Sequence, residues 1–416
     1  MKETLTKRTK ISKPLKFIGS LLLLIGLITV SCAQDSIFYI LSMENEPKDP
    51  LIPGTPTNMV IIDDKLYAGT RFSKRIYSYS PVTSWSYKAT PVASLGDLAA
   101  IGTDLYALLY PGNPADGSII RKYDVTKANW DNEDIDSDVP EYRAQTIFSA
   151  GGKIFLGAMK GPVYAILYYD PVSGNPLALV RDIPVSSPES NPFPNNLLKG
   201  AVEHLDFIYF AMSSDGVYKF DSSIAVGAAG IDAELTQVPG TVGSIVGIIE
   251  TGGVIVAVSS SGKIFTLDTG ETEFSELVPR VEYTDRPEYT GAMCIWSTFD
   301  GTTPDPALLL LGVQNRNNMQ NQGYREMTLD PITKKPTDEI KPPGDEGDIL
   351  TSAAGRKEKH QASIGKTAVN GIIQFPVDKF GAASELDVPV FAATNQKGLW
   401  SYKSRGGDYQ WNAEDY

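Results

Sequence analysis

The chain has 416 residues, 42% of them hydrophobic, with a formal net charge of −13 and only 2 Cys and 2 His. That apolar content excludes a disordered chain, and two cysteines exclude a disulfide scaffold. The acidic balance argues against nucleic acid, whose phosphates require a basic footprint, and against electrostatic docking on anionic headgroups.

Residues 1–31 carry six positive charges (Lys2, Lys7, Arg8, Lys10, Lys13, Lys16) against Glu3, then an apolar run from Phe17 to Val30, then Ser31 and Cys32. This order predicts a signal peptide over residues 1–31. The run holds 14 residues, whereas a helix needs about 20 to cross a hydrocarbon core, so a permanent span is disfavoured. The stretch Thr29-Val30-Ser31-Cys32 resembles the lipobox of bacterial lipoproteins, in the relaxed form found in spirochaetes, with Thr29 where Leu is usual. The resemblance implies lipidation of Cys32, and simple secretion is the alternative. Cleavage before Cys32 removes six positive charges and one negative one, taking the net charge from −13 to −18. Membrane attachment then rests on acyl chains. Neither Ala33 nor Gln34 is the Asp that retains enterobacterial lipoproteins at the inner membrane, so the outer membrane is the expected location.

Residues 32–57 read as a tether, ending in a Pro-rich stretch from Glu44 to Pro56. Ile37–Leu41 within it is strand-like, which fits either a strand that fastens the following domain or part of the tether.

From residue 58 onward one pattern returns seven times: an alternating or continuous apolar strand, a polar turn, and a second strand that usually closes on Asp. The first strands begin at Lys65, Asp104, Lys153, Phe207, Val254, Leu308 and Val388. Each pair reads as a hairpin. With Leu66, Leu105, Ile154, Phe207, Val254, Leu308 and Val388 taken as equivalent, the spacings are 39, 49, 53, 47, 54 and 80 residues. Flanking strands precede the hairpins (Met59–Ile62, Thr146–Phe148, Gly247–Ile249, Gly371–Ile373) and follow them (at Trp85, Trp130, Leu177–Val180, Phe274–Val278 and Trp411). Four strands repeated seven times predict an all-β, seven-bladed β-propeller of antiparallel blades over residues 58–416. A lone four-stranded sheet cannot bury both faces, whereas a ring of sheets buries each against its neighbours. Gly216-Val217-Tyr218-Lys219-Phe220-Asp221 and Gly262-Lys263-Ile264-Phe265-Thr266-Leu267-Asp268 resemble quinoprotein-like, NHL and kelch-like propeller repeats. Pro331–Gln361, rich in Pro, Lys, Asp and Glu, reads as a long solvated insert.

The chemistry on offer is sparse. His204 lies at an inner-strand turn of the fourth unit and His360 in a charged loop, so a histidine-based triad or a multi-histidine metal centre is not expected. Ser213–Tyr218 lacks the spacing and the Trp of a sialidase Asp-box. Cys294, in an apolar stretch, reads as a buried, inert thiol. No cofactor is expected. Asp131, Asp134, Asp136 and Asp138 are candidate calcium ligands, although the run lacks the Gly and the late Glu of an EF-hand loop. Asn315, Arg316, Asn317, Asn318 and Gln320, at a hairpin tip, form a candidate binding loop. The expected function is an exported, lipid-anchored scaffold that binds a protein or ligand partner at the bacterial envelope. The propeller lipoprotein of the outer-membrane assembly machinery is its nearest analogue. Two alternatives remain open: a hydrolase or lyase with a carboxylate-held metal in the channel, as in propeller calcium lactonases, and a surface adhesin.

Overall fold

A computed structural model describes residues 51–414, apart from the segments 81–83, 91–92, 113–116, 132–133, 136, 138–139, 162, 175, 177, 185–197, 214–215, 224–234, 278–287, 297–306, 315–322, 341–366, 376–388, 396–397 and 406–407. These residues form seven four-stranded antiparallel sheets, each built from four strands consecutive in the chain, and no helix occurs among them. The sheets are the blades of a seven-bladed β-propeller. Successive inner strands adjoin around the ring.

The second strand of every blade falls on the apolar run that marks it in the sequence, from Lys65–Gly69 in blade one to Val390–Thr394 in blade seven. Val254–Ser259 shows why those runs are continuous, since all its residues are buried. A strand sandwiched between neighbouring sheets has no face for water. Between the blades lie seven hydrophobic clusters, one per interface. Leu105 and Tyr67 join blades one and two, Phe155 and Phe210 blades three and four, and Leu310 and Trp411 blades six and seven.

The seventh cluster closes the ring. Leu51 and Ile52 pack with Leu66 of blade one and with Phe375, Phe391 and Leu399 of blade seven. The Leu51 N–H donates to Glu414 O at 2.7 Å, and the Gly398 N–H to Gly54 O at 3.1 Å. The Pro-rich stretch is therefore not all tether: from Leu51 it is the seam of the ring, because its two apolar residues have a closed interface to fill. Blade seven completes itself with its own outer strand, Asp408–Ala413. Ile37–Leu41 lies outside the described residues.

A second correction concerns the insert. Pro336–Ile340, inside the stretch read as a solvated excursion, is the outer strand of blade six, paired with Gly323–Leu329. Outer strands need little apolar content, so composition alone did not reveal this one.

Candidate functional site

The inner strands converge on a central cavity of about 420 Å³, to which every blade contributes. They begin at one face of the ring, which also carries the turns between second and third strands. The pairings Leu198↔Met212 and Val369↔Thr394 place the start of an inner strand beside the end of its neighbour.

At this end the ladders carry a recurrent bulge. The register shifts between Leu95 and Asp97, between Leu198 and Gly200, between Ile245 and Gly247, and between Val369 and Gly371. A bulged residue leaves the ladder and is re-aimed. The positions so released are Gly96, Lys199, Val246 and Asn370, and the last three line the cavity. In blade six the corresponding shift spans Tyr289 to Met293. Gly291 there has φ +96° and so close an approach to blade five that a Cβ would fall 1.8 Å from Val246 O. Only glycine fits.

The charges at the mouth are Arg71, Asp97 and Lys199. Asp97, on the inner strand of blade two, is wholly buried. Its Oδ1 accepts the Asn58 N–H at 2.7 Å and the Leu98 N–H at 3.0 Å, and its Oδ2 lies 3.4 Å from Arg71 Nη2. Burial raises the Asp97 pKa above the usual carboxylate range, opposed by the Arg71 charge and the two backbone donors. Arg71 sits in the turn after the second strand of blade one. That turn is tied down by the Phe72 N–H to Leu95 O at 2.6 Å and by the Leu95 N–H to Ser73 O at 2.7 Å. Phe72 holds φ at +65° and is 59% exposed, its ring centroid 6.0 Å from that of Tyr110. A bulky residue in left-handed backbone is uncommon and concentrates at binding sites.

Lys199 occupies the bulge of blade four. Burial, and then the nearby guanidinium of Arg71, lower its pKa. No hydrogen bond or ion pair joins its ammonium to any described residue. The mouth thus holds two cations and one carboxylate, the latter already engaged by three donors.

The residues singled out from sequence lie elsewhere. Asp131 and Asp134 follow the outer strand of blade two, away from the cavity, and Arg121 Nε donates to Asp134 at 2.7 Å. Asp136 and Asp138 fall outside the described residues, as do Cys32, His360 and Asn315–Gln320. Gln314 and Gly323, which flank the polar loop, are described; Gln314 pairs with Glu288 at the start of an inner strand, on the face of the mouth. Among the described residues no cluster of three or more His, Cys, Asp and Glu is suited to a metal ion.

His204 closes the inner strand of blade four at the end opposite Lys199. It is buried, its Nε2 3.5 Å from Thr269 Oγ1 and its ring edge-on to Tyr209. This is a packed turn histidine. Cys294 is buried as well, and burial pushes its thiol up to about 12, so it is inert at neutral pH.

Sequence reasoning missed the inner strands Ser94–Ile101 and Glu288–Trp296 and, of Leu198–His204, recognised only the turn at His204. Their channel-facing polar residues and glycines interrupt the apolar pattern. A signal was present: an apolar residue, one variable position and Gly recur in Leu198-Lys199-Gly200, Ile245-Val246-Gly247, Tyr289-Thr290-Gly291 and Val369-Asn370-Gly371.

No family model and no curated protein sequence matches the chain. Solved structures do. A streptogramin B lyase is similar at TM-score 0.51 and 13% identity, over 88% of this chain and 97% of the other. A chain of a mitotic checkpoint complex is similar at TM-score 0.51 and 9% identity, over 84% and 89%. The extracellular domain of a protein assigned as a hybrid two-component system in B. thetaiotaomicron is similar at TM-score 0.50 and 13% identity, over 86% of this chain and 40% of the other. At such identities the likeness is one of fold. The class is therefore a seven-bladed β-propeller, a fold that hosts many unrelated activities.

Proposed function

We propose that the protein is a binding propeller of the bacterial cell envelope. It is exported by residues 1–31, held at the membrane, by preference the outer one, through a lipid on Cys32, and engages its partner with the face on which the inner strands begin. One observation carries this reading: that face gathers the half-buried, unpaired Lys199, the exposed Phe72 and the strand ends flanking the polar loop at Asn315–Gln320. Loops on a rigid ring of blades are the usual carriers of recognition.

A carboxylate-ligated hydrolase or lyase needs several acidic groups converging on one ion. The described mouth offers Asp97 alone, already bonded to Arg71, so binding is the better reading. The adhesin alternative uses the same face and differs only in where the partner resides.

The test is in-cell crosslinking of the full-length protein, with residues 315–322 replaced by a short Gly-Ser turn in the variant. The expected outcome is loss of one envelope crosslink with an unchanged melting temperature. An unchanged crosslinking pattern would remove this face from the proposal. If His204→Ala abolished a measurable turnover without unfolding the protein, the enzyme reading would replace it.

A further inference from the structure

We infer that the channel mouth is a binding site for a small organic monocarboxylate, held by Lys199 and Arg71. The inference goes beyond the envelope reading and does not depend on it, since it concerns a small molecule inside the cavity and not a partner on the face.

Three features converge. The first is charge. Lys199 has no ion-pair partner among the described residues, and it shares the recess with a second cation, Arg71, whose field disfavours its own protonated form. In a chain of net charge −13 and 50 acidic residues, a cavity lined by two cations and one carboxylate is not what average composition would place there. Two cations beside one carboxylate leave a charge of one unmatched, which a single carboxylate completes. A dianion such as phosphate would overcompensate and would face the carboxylate of Asp97 as well.

The second feature is construction. Asp97 accepts from two backbone N–H groups and from Arg71, which orients the guanidinium and leaves its other N–H groups free. Lys199 stands on a bulge, where the ladder of blade four releases it toward the axis. Asn370, on the equivalent bulge of blade seven, is exposed in the same cavity with no partner for its amide among the described residues. It offers a neutral donor and acceptor for a hydroxyl or carbonyl of the ligand body.

The third is size and wall chemistry. At about 420 Å³ the cavity is in the range of small-molecule sites, and Met59, Phe148, Ile248, Met293 and Ile372 give it apolar walls behind the charged mouth. A carboxylate on a body no larger than a sugar or a phenyl ring fits both. The site has no covalent step: binding leaves Lys199 protonated and brings its pKa back up, because the carboxylate supplies the partner that burial lacks.

The experiment uses the full chain and titrates benzoate, glucuronate, their uncharged counterparts benzamide and glucose, and inorganic phosphate by isothermal calorimetry. Expected is saturable binding of at least one carboxylate, with no binding of its uncharged counterpart and weaker binding of phosphate. Lys199→Met should weaken it at least tenfold and Lys199→Arg should restore most of it, both with an unchanged fold by circular dichroism. Absence of binding by both carboxylates would overturn the proposal. So would carboxylate binding that survives Lys199→Met, or equal affinity for the uncharged counterparts. An unchanged crosslinking pattern in the loop variant with intact carboxylate binding would sink only the envelope reading, so the two failures are distinguishable.

Discussion

The indole Nε1 of Trp85 donates to Glu414 Oε2 at 2.7 Å, joining the outer strand of blade one to the residue that follows the last strand of blade seven. Glu414 is buried, its other carboxylate oxygen accepts from Ser401 Oγ, and its backbone pairs with Leu51 and Leu399. One acidic side chain thus spans the seam of a ring in which no strand is exchanged between first and last blades. Beside it the rings of Tyr79 and Trp85 pack edge-on against Phe391.

Removing that carboxylate should loosen the seam before any other interface. Glu414→Ala strands the buried Ser401 hydroxyl, at a cost of about 1–3 kcal/mol, and removes the partner of the half-buried Trp85 N–H. Urea denaturation should show this as a lower midpoint with an unchanged slope. Deleting the chain from Asn370 onward removes blade seven and the seam together, and should leave an insoluble or non-cooperatively melting product. A soluble six-blade fragment with a sharp transition would show that closure is dispensable.

The contact between blades five and six depends on Gly291. Gly291→Ala forces a Cβ into the carbonyl of Val246 and into left-handed backbone at φ +96°, for an expected loss of about 2–4 kcal/mol. Gly270→Ala, also at positive φ (+89°) but with open space around the new Cβ, is the control, and should cost only about 1 kcal/mol. Thermal melts of the two variants separate packing from backbone strain.

Lys199 sets a pH dependence whose sign follows from its lowered pKa. Between that lowered value and the ordinary lysine value near 10.4 the unfolded chain binds more protons than the folded one, so stability rises with pH through this window. Below it the half-buried, unpaired ammonium is charged in both states and opposes folding. Lys199→Met should abolish the alkaline rise and stabilise the protein at neutral pH by about 1 kcal/mol. Carboxylate affinity should fall across the same pH range. A flat difference between wild type and variant from pH 7 to 10.5 would show that Lys199 titrates normally.

Lipidation at Cys32 is tested by metabolic labelling. Cys32→Ala should abolish fatty-acid incorporation and release the protein from the membrane fraction. An unlabelled wild type would leave secretion without an anchor.

The sequence by itself determined the number of blades and the position of their hairpins, because strands buried on both faces must be apolar along nearly their whole length, as Val254–Ser259 and Leu308–Gln314 are up to their last residue. It did not disclose the outer strand Pro336–Ile340, whose sequence carries no apolar period. Nor did it disclose the seam, since Leu51 and Ile52 look like stray residues in a Pro-rich stretch until blade seven stands beside them. The site depended on tertiary structure most of all. Arg71, Asp97 and Lys199 are as many as 128 residues apart in the chain, and each alone reads as an ordinary surface charge. Only the closure of seven inner strands around one axis brings them into a shared recess, where burial turns an ordinary lysine into an unmatched cation.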